Sequence, residues 1–179
     1  MKRLYGLLIA IAASFVFLPL AAAADTDGDE HPVQRWDQQI NNTSRLKVLS
    51  AFGGKAVLDS ETGLVWQKSP STSTFSWGGA QAHCNRLTTG GRLGWRLPTL
   101  QELESLVDPN AGGVAFLPLL PAGNPFENVR LSSYWSATTN ANVPGDAWDV
   151  NFSNGDVNNN GNSVSFVWCV RGGQGVDAQ

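Results

Sequence analysis

The stretch Gly94-Trp95-Arg96-Leu97-Pro98-Thr99-Leu100-Gln101-Glu102-Leu103-Glu104-Ser105-Leu106 decides how this chain is read. Leu97 precedes a proline, which pushes it toward an extended conformation and ends whatever comes before. Thr99 is then a good N-cap, and Glu102 stands three residues on. The two form a capping box, in which hydroxyl and carboxylate satisfy free N–H groups at a helix start. Leu100, Leu103, Leu106 and Val107 follow at helical spacing and give one apolar stripe. Pro109 is expected to stop the helix. The plain reading is a short structural helix on a small core. Glu102 and Glu104, two apart, do not face each other and make a poor acid/base pair.

Upstream, residues 56–59 and 64–68 read as the strands of a β-hairpin around a Gly-bearing loop, Ser60-Glu61-Thr62-Gly63. Ser76 can cap a helix over residues 77–87. Trp77, Ala80, Cys84 and Leu87 share one face of it, so Cys84 points inward. Gly90 and Gly91 are expected to terminate it. His83 lies off that stripe and reads as incidental. Downstream, residues 109–128 are rich in Gly, Pro and Asn. They predict a long irregular excursion that packs Phe116, Leu117, Leu119, Leu120 and Phe126. Residues 133–138 read as a strand. Residues 147–152 alternate, with Trp148, Val150 and Phe152 on one face and Asp149 and Asn151 on the other. Residues 153–156 form a turn. The apolar run 164–170 fits a strand buried on both faces.

The chain has 179 residues, enough for one domain with extras. Lys2 and Arg3, an apolar run over 4–20 and Ala22-Ala23-Ala24 read as a secretory signal cut after Ala24. A retained membrane anchor is the competing reading. No cysteine lies near the cut, so a lipid anchor is not expected. Residues 25–54 read as a flexible leader and N-terminal extension, in which Trp36 and Ile40 suit a short helix. The domain is expected over 55–173 and a frayed tail over 174–179. Removing Lys2 and Arg3 leaves 10 basic against 15 acidic side chains, a net charge near −5. That balance gives no nucleic-acid footprint, which needs a basic face. No second apolar run is long enough to span a bilayer. Two cysteines, Cys84 and Cys169, suggest a bridge in an exported chain. Two buried free thiols are the alternative.

Five blocks carry a resemblance. They are residues 58–67 (Leu-Asp-Ser-Glu-Thr-Gly-Leu-Val-Trp-Gln), Trp77-Gly78-Gly79-Ala80 with Cys84, and Trp95-Arg96-Leu97-Pro98-Thr99 with Glu102-Leu103. Tyr134-Trp135-Ser136-Ala137-Thr138 and Val167-Trp168-Cys169-Val170-Arg171 complete the set. In order and content they resemble the Lcl C-terminal domain family, named for a collagen-like bacterial adhesin. The resemblance implies an α+β, C-type lectin-like fold: two short helices packed on small antiparallel sheets with long irregular loops. It also implies a Cys84–Cys169 bridge between the first helix and the last strand, and a relation to the sulfatase-modifying fold. That enzyme's activity depends on active-site cysteines, and both cysteines here are expected in structure. The calcium-sugar motifs of true C-type lectins are absent.

Residues 140–162 hold eight Asn: Asn140, Asn142, Asn151, Asn154, Asn158, Asn159, Asn160 and Asn162. They interleave with Trp148, Val150, Phe152 and Gly155. This resembles the variable region of retroelement-diversified proteins, where adenine-directed mutation varies ligand-facing positions. The family usually has Arg where Trp168 stands. An ordinary Asn-rich loop set is the alternative, since Asn tolerates left-handed turns. Asn, Asp and Trp on loops suit adaptable recognition. The expected contact area is Asp146, Trp148, Asp149, Asn151, Asn154, Asp156, Asn158, Asn160 and Trp168, with Trp148 equally readable as core. Asp146, Asp149 and Asp156 match no cation-loop spacing. No catalytic residue, metal or cofactor is expected. The function read from the sequence is a periplasmic or secreted binding module for an extracellular protein or glycan ligand. A structural subunit of the envelope or an appendage is the alternative, and an enzyme ranks third.

Overall fold

Local rules shape both helices as the sequence demands. The computed structural model describes residues 45–111, 118–143 and 145–172. Helix α1 spans Trp77–Asn85, and the Ser76 hydroxyl accepts from the Gly79 N–H. Helix α2 spans Leu100–Glu104. Its capping box is complete: Thr99 Oγ1 accepts from Glu102 N–H, and Glu102 Oε2 accepts from Thr99 N–H at 2.8 Å. Both helices end earlier than expected. The turn after α1 closes with Leu87 N–H on Cys84 O. Gly90 and Gly91 belong instead to a separate 3-10 turn, Thr89–Gly91. Gly90 has φ +67°, and a Cβ there would lie 2.7 Å from the Phe52 Cβ. Its work is to let the Phe52 side chain close on the loop. Pro109 opens a further 3-10 turn, Pro109–Ala111, five residues past α2.

Two antiparallel sheets complete an α+β architecture. The first has the order β1-β2-β3-β7, from Leu46–Val48, Ala56–Asp59, Val65–Gln67 and Val170–Arg171. The predicted hairpin is β2–β3, with Val57 opposite Trp66. Strand β1 lies in the stretch assigned to the extension, yet it pairs Lys47 with Leu58 and buries Leu46. Folded structure therefore begins before Lys55. The second sheet is a meander, β4 (Ser133–Thr139), β5 (Ala147–Asn151) and β6 (Val157–Asn160). Trp36, Ile40, Phe116 and Leu117 lie outside the described residues, as do the signal and leader readings. Within the 109–128 excursion Leu120 is buried, and Phe126 meets Trp168 with ring centroids 4.7 Å apart.

Residues 165–170 join the sheets. They are largely buried, as the apolar run predicts, but they are not one strand, and Val164 is exposed. The segment changes partners at almost every step. Ser165 pairs with Phe75, Phe166 with Ser133 and Trp135, Cys169 with Gln67, and Val170 with Arg96. A seam that serves so many neighbours satisfies its backbone without ever forming a long ladder.

The core falls into two clusters. Trp66, Leu103, Leu106, Tyr134, Val150, Phe152 and Trp168 make one. Ala80, Cys84, Trp95, Leu97, Trp135, Val167 and Cys169 make the other. Cys84 and Cys169 are bridged at 2.04 Å across 85 residues, in the second cluster. Cys169 stands one residue before β7. Closing such a loop removes about 4–5 kcal/mol of unfolded-state entropy, as an upper figure. Arg96 ties the quoted stretch to the chain's far end. Its guanidinium forks onto Glu102 at 2.7 and 2.8 Å and donates to Gly172 O at 2.7 Å.

Candidate ligand-recognition surface

The β5–β6 hairpin carries most of the predicted contact residues, and its two faces treat them differently. Asp149 was expected to point outward and is wholly buried. Both faces of β5 are covered: Val150 and Phe152 enter the first cluster, while Ala147 enters the second. Asp149 shares the Ala147 face, beside cross-strand Trp135 and Asn158. Its carboxylate has no cation beside it among the described residues. It accepts instead from Asn158 Nδ2 at 3.3 Å, from Asn160 Nδ2, and from Ser165 Oγ at a long 3.5 Å. A carboxylate out of water needs such donors, because burying it unpaired is costly. Asn158 and Asn160 are thus turned inward and half-buried.

Trp168 is the second correction. It has no exposed surface and donates its indole N–H to Gln67 O at 2.8 Å. Phe126, Phe152, Tyr134 and Trp66 surround it with centroid separations of 4.7 to 5.8 Å. It is the centre of the first cluster, not a contact residue. Burial pushes the Tyr134 phenol beside it up to about 12, although the Arg130 N–H bond and charge act the other way.

The remaining predictions stay at the surface. Asn154 and Asp156 are exposed in the β5–β6 turn. Asn154 Oδ1 accepts from Asp156 N–H at 3.1 Å. Asn151 is half-buried, and its Oδ1 accepts from Ser153 N–H at 2.9 Å and from its hydroxyl at 2.6 Å. Each Asn holds its own turn by the side-chain-to-backbone bonds typical of this residue. Trp148 is half-buried and pairs across the strands with Asn159. Its indole N–H has no hydrogen bond to any described residue. Asp146 is half-buried and accepts from Asn159 Nδ2 at 3.2 Å.

Beside the turn lies a groove of about 520 Å³ that the sequence did not reveal. Val107, Leu119 and Pro109 line it with apolar surface, and Glu104, Ser153 and Asn154 add polar groups. The signal was present only in part: Val107 ends the apolar stripe, but its approach to Gly155, shared with Leu119 from the long excursion, is a long-range contact. A second depression of about 470 Å³ lies between Phe52, Lys55 and the Leu87–Gly91 loop, away from every predicted contact residue. His83 tilts on Phe75 with centroids 4.8 Å apart, and burial, with Arg86, pushes its imidazole below the usual value.

Two capped helices, two small antiparallel sheets, a buried bridge and one polar, turn-rich end define a disulfide-stapled α+β domain. Residues 55–171 match the family model of the Lcl C-terminal domain, and the chain belongs to that family. No curated protein matches the sequence. The bridge fits an oxidising compartment, periplasmic or extracellular. Among the described residues no helix is long and apolar enough to cross a membrane.

Proposed function

We propose that this chain is an exported, adhesin-like binding module that holds a ligand at its β5–β6 end and catalyses nothing. The Lcl family name fits an extracellular role. The layout is read as C-type lectin-like, with the first 24 residues as the export signal. The observation that carries the proposal is the division of the hairpin. Asp149, Asn158 and Asn160 fix its inner face, while Asn154, Asp156 and the free indole N–H of Trp148 meet solvent. Rigid support beneath adaptable polar side chains suits recognition. Both cysteines are locked in the bridge, which leaves no thiol for sulfatase-modifying chemistry.

In this reading, genetic diversification acts on the exposed Asn positions. Its trace is a near-copy of the coding stretch for residues 132–173 beside a reverse transcriptase, differing mainly at adenines. Binding is tested on protein and glycan arrays with the purified exported chain. The Asn154→Ala/Asp156→Ala variant is expected to lose at least about tenfold in affinity, some 1.4 kcal/mol. Its thermal stability stays within about 0.5 kcal/mol. A variant that binds as well as the parent refutes the placement of the site.

A further inference from the structure

The three-stranded sheet has one closed edge and one open edge. Strand β4 is closed on its outer side. Phe166 exchanges backbone bonds with Ser133 and Trp135, and Ala137 N–H donates to Pro98 O. Strand β6 is the other edge. Its register sets Asn158 opposite Asp149 and Asn160 opposite Ala147, and Asn151 N–H donates to Asp156 O at 2.8 Å. That parity turns the backbones of Asn158 and Asn160 toward β5 and those of Val157 and Asn159 away from it. Among the described residues, the N–H and C=O groups of Val157 and Asn159 have no partner.

Proteins guard such edges with lysine, proline or a bulge. Strand β1, at the edge of the other sheet, carries exposed Lys47 at its centre. Strand β6 carries none of these three. From Val157 to Val164 no residue is charged and none is proline. Carboxylates stand at both ends instead. Asp156 is exposed directly before Val157. Asp146 takes the Asn159 amide and lies against Gly161, where any Cβ would overlap its carboxylate.

We propose that the β6 edge docks an extended peptide strand with an uncharged, β-branched centre and a basic residue near each end. This rests on the binding-module reading above and names its ligand class. Main-chain bonds to Val157 and Asn159 supply the attachment, as in strand addition to other exposed edges. β-Branched residues suit the added strand. Basic ends answer Asp146 and Asp156. A second copy of the chain is the poorer occupant: two-fold pairing about Asn159 brings each Asp156 toward the other copy's Asp146, with no cation between them.

The test pans a phage-displayed library of random linear heptapeptides against the full chain. Binders are then measured on Asn159→Pro and Asn159→Ala. Proline removes an outward N–H at an edge position that tolerates it, whereas alanine removes only the side chain. The expected result is enrichment of Lys or Arg near both peptide ends. Affinity should fall at least about tenfold further in the proline variant than in the alanine variant. The two melting temperatures should agree within about 3 °C. Amide exchange supplies a readout that needs no variant: bound peptide should slow the Val157 and Asn159 amides, while those of Asn158 and Asn160 are slow throughout. The proposal is overturned by no enrichment, by equal loss in the two variants, or by a slow Asn159 amide in the free chain. It is also overturned by a dimer that Asn159→Pro dissolves. Glycan binding that survives Asn159→Pro overturns the strand proposal while leaving the recognition reading in place.

Discussion

The two sheets each bury a carboxylate completely, and they stabilise it by opposite means. In the four-stranded sheet Asp59 is met by Arg45, at 3.0 Å from Nε and 2.8 Å from Nη2. Arg45 also reaches Glu61 at 2.9 Å and donates to Ser105 O at 2.7 Å. Burial alone would lower the Arg45 pKa, but Asp59, with Glu61 and Asp108, outweighs it and holds it above its ordinary value. In the three-stranded sheet Asp149 has only amides and a hydroxyl. The first arrangement fixes a framework with full charges. The second uses neutral side chains, and it sits directly beneath the surface proposed to meet a ligand. The difference is one of means: one buried carboxylate is held by an ion pair, the other by the amides of the hairpin that carries the exposed asparagines.

Substitution breaks the comparison most sharply. Asp59→Ala removes the forked partner of Arg45 and leaves it Glu61 and the Ser105 carbonyl, so the expected cost is about 3 kcal/mol, the low end of the scale for breaking a buried pair. Asp149→Ala strands two neutral amides and is expected to cost less, about 1–3 kcal/mol. Urea midpoints of the two variants, compared with the parent, decide this. Equal losses would mean that the amide cage is as strong as the ion pair.

The aromatic junction between the sheets gives a second handle, through pH. Tyr134 is protonated more tightly in the folded chain, with its pKa raised from 10 to about 12. A raised folded pKa contributes stability that is fully present below pH 10 and is lost as pH rises through the folded value. Two units correspond to about 2–3 kcal/mol. Stability should therefore fall between pH 10 and 12, and Tyr134→Phe should flatten that slope. An unchanged slope in the variant would place the loss elsewhere.

Much of the framework was legible because it follows local rules. Thr99 and Glu102 specify a capping box whatever surrounds them, and the Trp77, Ala80, Cys84, Leu87 spacing faces Cys84 inward on any core. The hairpin at residues 56–68 needed only its Gly-bearing loop. Strand β1 was not legible: three residues with Lys47 at their centre carry no period, and they become a strand only because β2 offers an edge. The hairpin's contact residues were partly misread for a related reason. Alternation in β5 sends Asp149 outward only if one face of the sheet is wet, and here the seam at Ser165 covers the second face. Trp168 was misread because its setting comes from residues far along the chain: Trp66, Phe126, Tyr134 and Phe152 close around it and make it core. Sequence pattern fixes which residues share a face, but the long-range contacts decide whether that face meets water.

The central claim is that the asparagines of this hairpin fall into an inner set that holds the fold and an outer set that does not. Thermal unfolding of Asn160→Ala and Asn154→Ala, side by side, tests it directly. Asn160→Ala should lose about 1–2 kcal/mol, because it removes a donor from a buried carboxylate. Asn154→Ala gives up only solvent-exposed turn bonds to Asp156, which water can replace, and should stay within about 0.5 kcal/mol of the parent. Equal losses, or a larger loss at Asn154, would contradict the account.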